Sequence, residues 1–438
     1  MKELPIAKQT GLHGTLTVPG DKSISHRAIM IGSIAEGTTT VHHFLRGNDC
    51  QSTPQAFRDL GVQIDDNGTD LIIHGKGFAG LKPADHPLDM GNSGTTTRLL
   101  TGLLAGSHFT TELVGDASLS KRPMKRVSEP LKAFGGEVRL TENGTLPASV
   151  VGHQLHGAEY EMTVASAQVK SALIFAALQA KKSSVIIEKL PTRNHTEIML
   201  RQFGARVRTV GGNIILVDPG EKLIGQEVTV PGDMSSAAFF LVAATIVPHS
   251  KITLKGVNLN PTRTGILNIL QQMGAKLTID EQLSTSELSG DITVESSDLH
   301  PIQLTAKDIP AVIDELPLVA LLAACADGQS TIRGAQELRV KETDRIKTVV
   351  AELRKPGVQV KELPDGMVID GRPGWDVQDQ QLESYGDHRL GMMDAIAALK
   401  ADQALQLAHE DAIAVSYPGF FDDLATLLGG AHDDNSLN

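Results

Sequence analysis

The sequence is poor in cysteine and in long apolar runs, and each absence excludes a class of protein. Two cysteines in 438 residues cannot form the disulfide framework of a small secreted protein, which favours a reducing cytoplasm. No apolar run reaches the ~18 residues that a transmembrane helix requires. The first residues, MKELPIAKQTGLHG, lack the apolar core of a signal peptide. We therefore expect a cytoplasmic protein that does not bind or cross a membrane.

Clustered positive charge and cofactor motifs are also scarce. The net charge is −12 and no basic stripe is present, so the sequence does not predict binding to nucleic acid or to an anionic membrane. Residues 75–80 have the glycine spacing of a dinucleotide-binding loop, but Pro83 and Pro87 follow where that loop requires a helix. There is no phosphate-binding P-loop, and the histidines lack the spacing of metal ligands.

What the sequence does contain is an internal repeat. The heptapeptide TVPGDKS at residues 17–23 returns as TVPGDMS at residues 229–235, with Met234 in the place of Lys22. A match of this kind between two halves indicates a duplication. Length alone predicts about three domains, whereas the duplication predicts two large ones. Since only the lysine carries charge, only the first copy can bind an anion through this side chain.

A shorter repeat of ~70 residues lies within each half. Six segments start with small or polar residues and continue as apolar helices, beginning near Ser23, Ser93, Ser166, Ser235, Glu315 and His388. These helices are apolar on most faces, so we expect them to be buried. A second set of helices is predicted to end at glycines that adopt the left-handed cap, namely Gly61, Gly135, Gly204, Gly274, Gly357 and Gly429. Pro356 should shorten the helix before Gly357.

Polar and cationic residues gather at the starts of the buried helices. The first start contains Lys22, Ser23 and Arg27, and later starts contain Gly94, Ser166, Gln168, Lys170 and Arg389. A helix N-terminus offers unpaired N–H groups and the positive end of the helix dipole, so it binds phosphate or carboxylate. Ordinary capping explains any single serine equally well. Lysine or arginine at several starts favours anion binding.

Two further segments concentrate charge. In residues 339–345, RVKETDR, Lys341 and Arg345 are four apart and are predicted to share a helix face. Their repulsion of ~0.2–0.5 kcal/mol would be reversed by an anion between them. Glu342 is then either a base or their counter-ion. Residues 121–126, KRPMKR, place four cations close together. A solvated charged surface is the alternative for both segments.

Asp314 and Glu315 stand immediately before an almost wholly apolar helix. Carboxylates in this position can cap the helix. A carboxylate at the edge of an apolar element can also have the raised pKa of a general base. The sequence leaves both interpretations open.

Six motifs together resemble one family. In chain order they are PGDKSISHRA (19–28), GNSGTTTRLL (91–100), LSKRPMKRV (119–127), SAQVKSAL (166–173), RVKETDRI (339–346) and YGDHRLGM (385–392). They resemble the 5-enolpyruvylshikimate-3-phosphate synthases, over essentially the full length. The resemblance implies a two-domain inside-out α/β barrel, in which each domain has three βαβαββ repeats with helices buried inside and sheets outside.

The resemblance also implies how the domains are divided. Residues 1–19 plus 232–438 form the first domain, residues 20–231 form the second, and hinges lie near Pro19-Gly20 and Pro231-Gly232. The active site is expected in the cleft between the domains. Members of the family act without metal or cofactor on small molecules, and we expect this chain to be a monomer.

By resemblance, the reaction transfers the enolpyruvyl group of phosphoenolpyruvate to the 5-hydroxyl of shikimate 3-phosphate and releases phosphate, on the route to chorismate and the aromatic amino acids. The implied shikimate 3-phosphate ligands are Lys22, Ser23, Arg27, Ser166, Gln168, Asp314 and Lys341. The implied phosphoenolpyruvate ligands are Lys22, Gly94, Arg122, Gln168, Arg345 and Arg389. The implied catalytic residues are Asp314, Glu342 and Lys22.

The chain departs from the family pattern at several positions. Ala167 follows Ser166 where a second serine is frequent, Glu337 stands where many members have asparagine, and Val415 occupies the place of a C-terminal lysine. Gly94 is retained, where an alanine is associated with tolerance of glyphosate, a mimic of phosphoenolpyruvate. These departures put single contacts in doubt, not the family.

Two alternatives remain. The related UDP-N-acetylglucosamine enolpyruvyl transferases typically have asparagine after the first lysine and a loop cysteine, whereas this chain has Ser23 and no cysteine in residues 98–126. A non-catalytic anion-binding protein of the same fold would leave the set of Asp314, Lys341 and Glu342 unexplained. Both alternatives are therefore less favoured than the synthase.

Overall fold

A computed structural model describes residues 1–7, 11–282 and 287–429 of the chain. The chain divides into two compact units. The continuous unit is Gly20–Pro231, and the split unit is Met1–Pro19 together with the chain from Gly232 onward. Each unit has its own hydrophobic core.

Each unit contains six of the described α-helices. Those of the continuous unit are α1 (Lys22–Ile34), α2 (Asn48–Asp59), α3 (Gly94–Leu104), α4 (Lys125–Leu131), α5 (Ala167–Ala177) and α6 (His195–Gln202). Those of the split unit are α7 (Met234–Ile246), α8 (Gly265–Gln272), α9 (Leu316–Cys325), α10 (Arg345–Arg354), α11 (His388–Ala398) and α12 (Phe420–Leu427).

The strands follow in chain order. The first part of the split unit contains β1 (Lys2–Glu3) and β2 (His13–Leu16). The continuous unit contains β3 (Glu36–His42), β4 (Gln63–Asp66), β5 (Asp70–Lys76), β6 (Leu88–Asp89), β7 (Thr110–Val114), β8 (Glu137–Arg139), β9 (Ala148–Val151), β10 (Glu159–Glu161), β11 (Ser184–Ile187), β12 (Arg206–Val210), β13 (Ile214–Asp218) and β14 (Glu227–Thr229). The rest of the split unit contains β15 (Lys251–Asn258), β16 (Lys276–Gln282), β17 (Ser289–Glu295), β18 (Gln303–Leu304), β19 (Gly328–Ile332), β20 (Gln359–Leu363), β21 (Gly366–Gly371), β22 (Gln381–Glu383) and β23 (Gln406–Ala408).

Three sheets surround the helices of each unit. The strand orders in the continuous unit are β14-β3-β5-β4, β6-β7-β9-β8 and β10-β11-β13-β12. Those in the split unit are β2-β15-β17-β16, β18-β19-β21-β20 and the three-stranded β22-β23-β1. In every sheet the first pair is parallel and the other pairs are antiparallel. The predicted α/β fold class is confirmed.

The repeat that completes each unit is assembled from two distant parts of the chain. Two βαβαββ runs of the continuous unit are uninterrupted, from β6 to β9 and from β10 to β13, whereas β14 supplies the leading strand for the run from α1 to β5. In the split unit β2 leads the run from α7 to β17, and β1 pairs with β23. The sequence period therefore defines the repeats, and sheet pairing completes them.

The six apolar helices are buried, as their sequences predicted. Every residue of α7 and α11 is buried, and α7, α9 and α11 pack against one another. In the continuous unit α3 packs against both α1 and α5. A Cβ atom on Gly102 of α3 would lie 2.1 Å from the carbonyl oxygen of Ala172, so the close approach of α3 to α5 requires glycine.

The predicted glycine caps are confirmed. Positive φ angles, which favour glycine, occur at Gly61, Gly135, Gly204, Gly274, Gly357 and Gly429. The shortening expected from Pro356 amounts to one residue, since α10 ends at Arg354 before Gly357 whereas α8 ends at Gln272 before Gly274. Among the described residues, no helix is both long enough and apolar enough to cross a membrane.

Candidate anion-binding site

The starts of the buried helices in the continuous unit are capped by side chains. Asp21 accepts a hydrogen bond from the backbone N–H of Ile24 at 3.0 Å, and Ser93 accepts one from Thr96 at 3.2 Å. Ser166 caps α5 through the N–H of Val169 at 3.4 Å. Ser166 is therefore a capping residue as well as a candidate ligand, whereas Asp21, not Ser23, caps α1.

Gly94, Gln168 and Arg122 lie close to Arg98. Arg98 Nη1 donates to Gln168 Oε1 at 2.7 Å, and Gln168 Nε2 donates to Thr95 Oγ1 at 3.1 Å. A Cβ atom on Gly94 would lie 2.9 Å from Arg98 Nη1 and 3.4 Å from Arg122 Nη1. The lack of a side chain at Gly94 therefore leaves room for both guanidinium groups.

Lys22 is oriented by a carboxylate from the next helix. Its Nζ lies 2.9 Å from Asp49 Oδ2, at the start of α2. His26, one turn further along α1, is buried and contacts Thr53 Oγ1 at 2.7 Å. Burial lowers the pKa of His26 to about 3, against the opposing effect of Asp49. His26 is therefore neutral and adds no charge beside Lys22 at ordinary pH.

Arg27 is held by neutral oxygen atoms. Its Nε donates to Thr196 Oγ1 at 2.6 Å and its Nη2 to Ser171 Oγ at 2.9 Å. Its Nη1 donates to the carbonyl oxygen of Ser23 at 2.8 Å. These contacts join α1, α5 and α6. They bring Ser23 and Arg27 to the end of the unit that also carries Lys22.

Lys170 does not join this group, which corrects its inclusion among the candidate anion-binding residues at the helix starts. Its Nζ lies 3.1 Å from Glu188 Oε2 and 2.8 Å from Glu197 Oε1, and all three side chains are buried. Burial raises the pKa of Glu188 although Lys170 opposes the shift. Lys170 therefore serves the interior of the unit.

In the split unit, three cationic side chains converge on Asp314. Lys341 Nζ lies 3.7 Å from Asp314 Oδ1 and Arg345 Nη1 lies 4.0 Å from it. Arg263 Nη1 lies 4.0 Å from Asp314 Oδ2. Opposite charges at these distances attract through a poorly screened, partly buried medium. The carboxylate of Asp314 therefore has a fixed cationic surrounding.

The expected shared helix face of Lys341 and Arg345 is wrong. The helix α10 begins only at Arg345, with Asp344 as its cap, and Lys341 has an extended conformation after a 3₁₀ turn at Gln336–Val340. The two cations nevertheless reach one anion, because both approach Asp314. Tertiary packing produces the convergence that helical spacing was expected to produce.

Side-chain capping does not explain the carboxylates before α9. Glu315 occupies the N-cap position, but its side chain makes no capping hydrogen bond. Asp314 precedes the cap and faces the cations instead. This geometry favours the second interpretation of Asp314, as a carboxylate available for chemistry.

Arg345 is the most constrained of the predicted residues. It is 2% exposed, and its Nε and Nη2 lie 2.7 and 3.1 Å from the two carboxylate oxygens of Asp387. Glu342 Oε2 lies 2.7 Å from Arg345 Nη2. Burial alone would lower the pKa of Arg345, but the charges of Asp387 and Glu342 raise it. Burial alone would raise the pKa of Asp387, but Arg345 lowers it.

Arg389 completes the group. Its Nη1 donates to the carbonyl oxygen of Asp314 at 3.1 Å and lies 3.7 Å from Glu315 Oε1. All the predicted residues of the split unit therefore meet at the starts of α9, α10 and α11. The sequence gave no sign of Arg263, which lies in the loop before α8, nor of Asp49 as the partner of Lys22. Both belong to segments without a recognisable motif.

Comparisons with known proteins agree on one family. Residues 6–424 match the family EPSP synthase (3-phosphoshikimate 1-carboxyvinyltransferase). The chain belongs to this family. It is 58% identical over 422 residues to a 3-phosphoshikimate 1-carboxyvinyltransferase of Limosilactobacillus fermentum, which covers 96% of this chain and 98% of that one. It is 57% identical over 431 residues to the corresponding protein of Lactiplantibacillus plantarum, covering 98% and 100%.

A solved structure supports the same membership. The EPSP synthase of Acinetobacter baumannii superposes with a TM-score of 0.87 at 42% sequence identity, and the match covers 97% of each chain. The sequence-based recognition of the family is thereby confirmed. Within each unit, the helix starts and cationic side chains form a surface suited to anions, and Asp314 and Glu342 add carboxylates that can transfer protons.

Proposed function

We propose that this chain transfers the enolpyruvyl group of phosphoenolpyruvate to the 5-hydroxyl of shikimate 3-phosphate and releases phosphate. The relatives at 58% and 57% identity carry the name of this activity. The observation that carries the proposal is the convergence of Lys341, Arg345 and Arg263 on Asp314. A carboxylate fixed among cations suits a reaction of two anionic substrates that requires proton transfer.

The ligands of the two substrates are proposed from the same residues that the sequence predicted. Shikimate 3-phosphate is bound by Lys22, Ser23, Arg27, Ser166, Gln168, Asp314 and Lys341. Phosphoenolpyruvate is bound by Lys22, Gly94, Arg122, Gln168, Arg345 and Arg389. Support comes from the helix starts, which attract phosphate and carboxylate, and from the guanidinium groups, which bind both ions through paired hydrogen bonds.

The mechanism is an addition followed by an elimination. The oxygen of the 5-hydroxyl forms a bond to the central enol carbon and loses its proton, while the methylene carbon gains one. The methylene-derived methyl group then loses a proton as the carbon–oxygen bond to phosphate breaks. Asp314 and Glu342 transfer these protons. Lys22 acts with them by stabilising the negative charge of the departing phosphate.

Residues from both units serve this one reaction in our proposal, in the cleft expected between two domains joined near Pro19-Gly20 and Pro231-Gly232. Phosphoenolpyruvate needs several cations, and its proposed ligands are shared between Arg122 of one unit and Arg345 of the other. Replacement of either arginine should therefore impair the same activity. We also propose that the chain works as a cytoplasmic monomer, for which its mass in solution is the check.

The test is a phosphate-release assay with two acceptors. The purified chain is incubated with phosphoenolpyruvate and either shikimate 3-phosphate or UDP-N-acetylglucosamine. We expect release with shikimate 3-phosphate alone. Release with the nucleotide sugar would assign the related transferase activity, and binding of both anions without release would indicate a non-catalytic protein. Either of these two results would overturn the proposal.

A further inference from the structure

Each buried helix of the split unit has an acidic residue at its start, and each of these acids contacts an arginine. Asp233 caps α7 and lies 3.0 Å from Arg263 Nη2. Asp387 caps α11 and binds Arg345. Glu315 lies at the start of α9, 3.7 Å from Arg389 Nη1. The arrangement repeats with the three-fold pattern of the unit.

Glu315 differs from the other two acids because its carboxylate does not cap its own helix. It is 2% exposed, and a buried carboxylate needs hydrogen bonds or an opposite charge. Ser235 Oγ donates a hydrogen bond to Glu315 Oε1. The carboxylate therefore uses one oxygen to contact both a hydroxyl group of α7 and the guanidinium group of Arg389.

Ser235 extends the contact toward Asp314. Arg263 Nη2 donates to Ser235 Oγ at 2.8 Å, and Arg263 Nη1 lies 4.0 Å from Asp314 Oδ2. A continuous chain of polar contacts thus runs from Arg389 through Glu315, Ser235 and Arg263 to Asp314. Its members come from four separate segments of the split unit, and its interior members are buried.

We propose that Glu315 is a positioning residue that holds the guanidinium group of Arg389 in the orientation required for an anionic substrate group, an inference that rests on the function proposed above. Arg389 has two acceptors from adjacent residues, the carbonyl oxygen of Asp314 and the carboxylate of Glu315. The carbonyl limits only one N–H direction. The carboxylate adds a charge-assisted contact that restrains the guanidinium group as a whole.

The first test is Glu315→Gln, which keeps the size of the side chain and an acceptor for Ser235 but removes the charge. We expect the KM for phosphoenolpyruvate to rise about tenfold, equivalent to ~1.4 kcal/mol, with the KM for shikimate 3-phosphate unchanged within about twofold. The unmodified protein is assayed first. If it shows no turnover, the proposed function fails and this inference fails with it, whereas turnover with no effect of Glu315→Gln overturns this inference alone.

The second test is a double-mutant cycle with Arg389→Ala. If Glu315 acts through Arg389, Glu315→Gln should raise the phosphoenolpyruvate KM by less than about twofold in the Arg389→Ala background. An equal rise in both backgrounds would show that Glu315 does not act through Arg389 and would overturn the proposal. The split between the two KM values is a readout that general loosening of the unit would not produce.

A matched control and a milder variant complete the design. Glu352→Gln also neutralises a buried carboxylate of the split unit that pairs with a cation, Lys355, at 2.8 Å, and should leave both KM values within about twofold. Ser235→Ala removes the hydroxyl next to Glu315 and tests the same contact if Glu315→Gln does not fold. We expect it to raise the phosphoenolpyruvate KM by about threefold, and an unchanged KM would count against the proposal.

Discussion

The two units hold their arginines with different kinds of acceptor. In the continuous unit, Arg27 donates to hydroxyl groups and to a carbonyl, and Arg98 donates to the amide oxygen of Gln168. In the split unit, Arg263 and Arg345 contact aspartates and Arg389 contacts a glutamate. The helix starts are built on the same repeat, so the difference lies in the side chains and not in the fold.

The difference has an electrostatic meaning. A neutral acceptor orients a guanidinium group but leaves its charge in place, which suits the binding of an anion. A buried carboxylate compensates the charge, and the pair then depends strongly on both partners. Removal of one partner of a buried ion pair typically costs ~3–5 kcal/mol, whereas a neutral hydrogen bond contributes ~0.5–1.5 kcal/mol. The first unit should therefore tolerate loss of an acceptor better than the second.

The largest effect is expected where the split unit has a carboxylate outside such a pair. Asp314→Ala should lower kcat by at least ~10², since a positioned acid or base typically contributes 10²–10⁴-fold. Steady-state phosphate release measures the change. Circular dichroism and binding of shikimate 3-phosphate serve as controls for the fold. A near-normal kcat in folded protein would mean that another group transfers the protons.

Loss of stability should be greatest at Asp387. Asp387→Ala leaves Arg345 buried without its bidentate partner and removes the cap of α11, so the free energy of unfolding should fall by ~3 kcal/mol or more. Thr196→Val, which removes an acceptor from Arg27 in the continuous unit, should cost ~1 kcal/mol. Urea denaturation of both variants measures the difference. Equal losses would refute the contrast between the two units.

Removal of an arginine should affect donor binding in both units. Arg122→Ala and Arg345→Ala should each raise the KM for phosphoenolpyruvate, because a charge-assisted hydrogen bond contributes ~1.5–3 kcal/mol. Arg345→Ala should also reduce stability, since it leaves Asp387 buried, whereas the half-buried Arg122 has little such role. Steady-state kinetics and thermal melting separate the two effects. An unchanged KM in both variants would remove these residues from the donor site.

The smallest expected effect concerns a buried acid of the split unit away from the arginines. Asp394 is 1% exposed, and its Oδ2 has no hydrogen-bond partner among the described residues. Burial, with the nearby charge of Glu352, raises the pKa of Asp394 well above its ordinary value. The folded state therefore binds a proton more tightly than the unfolded state, so stability falls as the pH rises from the unfolded pKa of the carboxyl toward the folded one.

Asp394→Asn should remove this dependence. The variant should exceed the unmodified protein in free energy of unfolding by ~1 kcal/mol at pH 8, and the difference should shrink toward pH 5. Urea denaturation at the two pH values measures it. A variant that is less stable at pH 8 would show that the carboxylate form makes favourable contacts in the folded protein.

Much of the local structure was predictable because it depends on short segments. The small and polar residues before apolar runs marked the starts of the buried helices, and glycines such as Gly135 marked the left-handed caps. Predictions failed where a residue's partner lay elsewhere in the chain. Lys170 was grouped with the helix-start cations, yet Glu188 and Glu197 surround it in the interior.

The sequence by itself determined the repeat, the buried helices, the places where they begin and the family to which the chain belongs. All of these follow from residue patterns that span a few turns or recur at a fixed period. Only the tertiary structure decided which side chains meet. Lys22 and Asp49, Arg345 and Asp387, and Arg263 and Asp314 lie in separate segments, so no local pattern specifies their contacts. Packing of the buried helices brings their starts together, and that packing places the cations around Asp314.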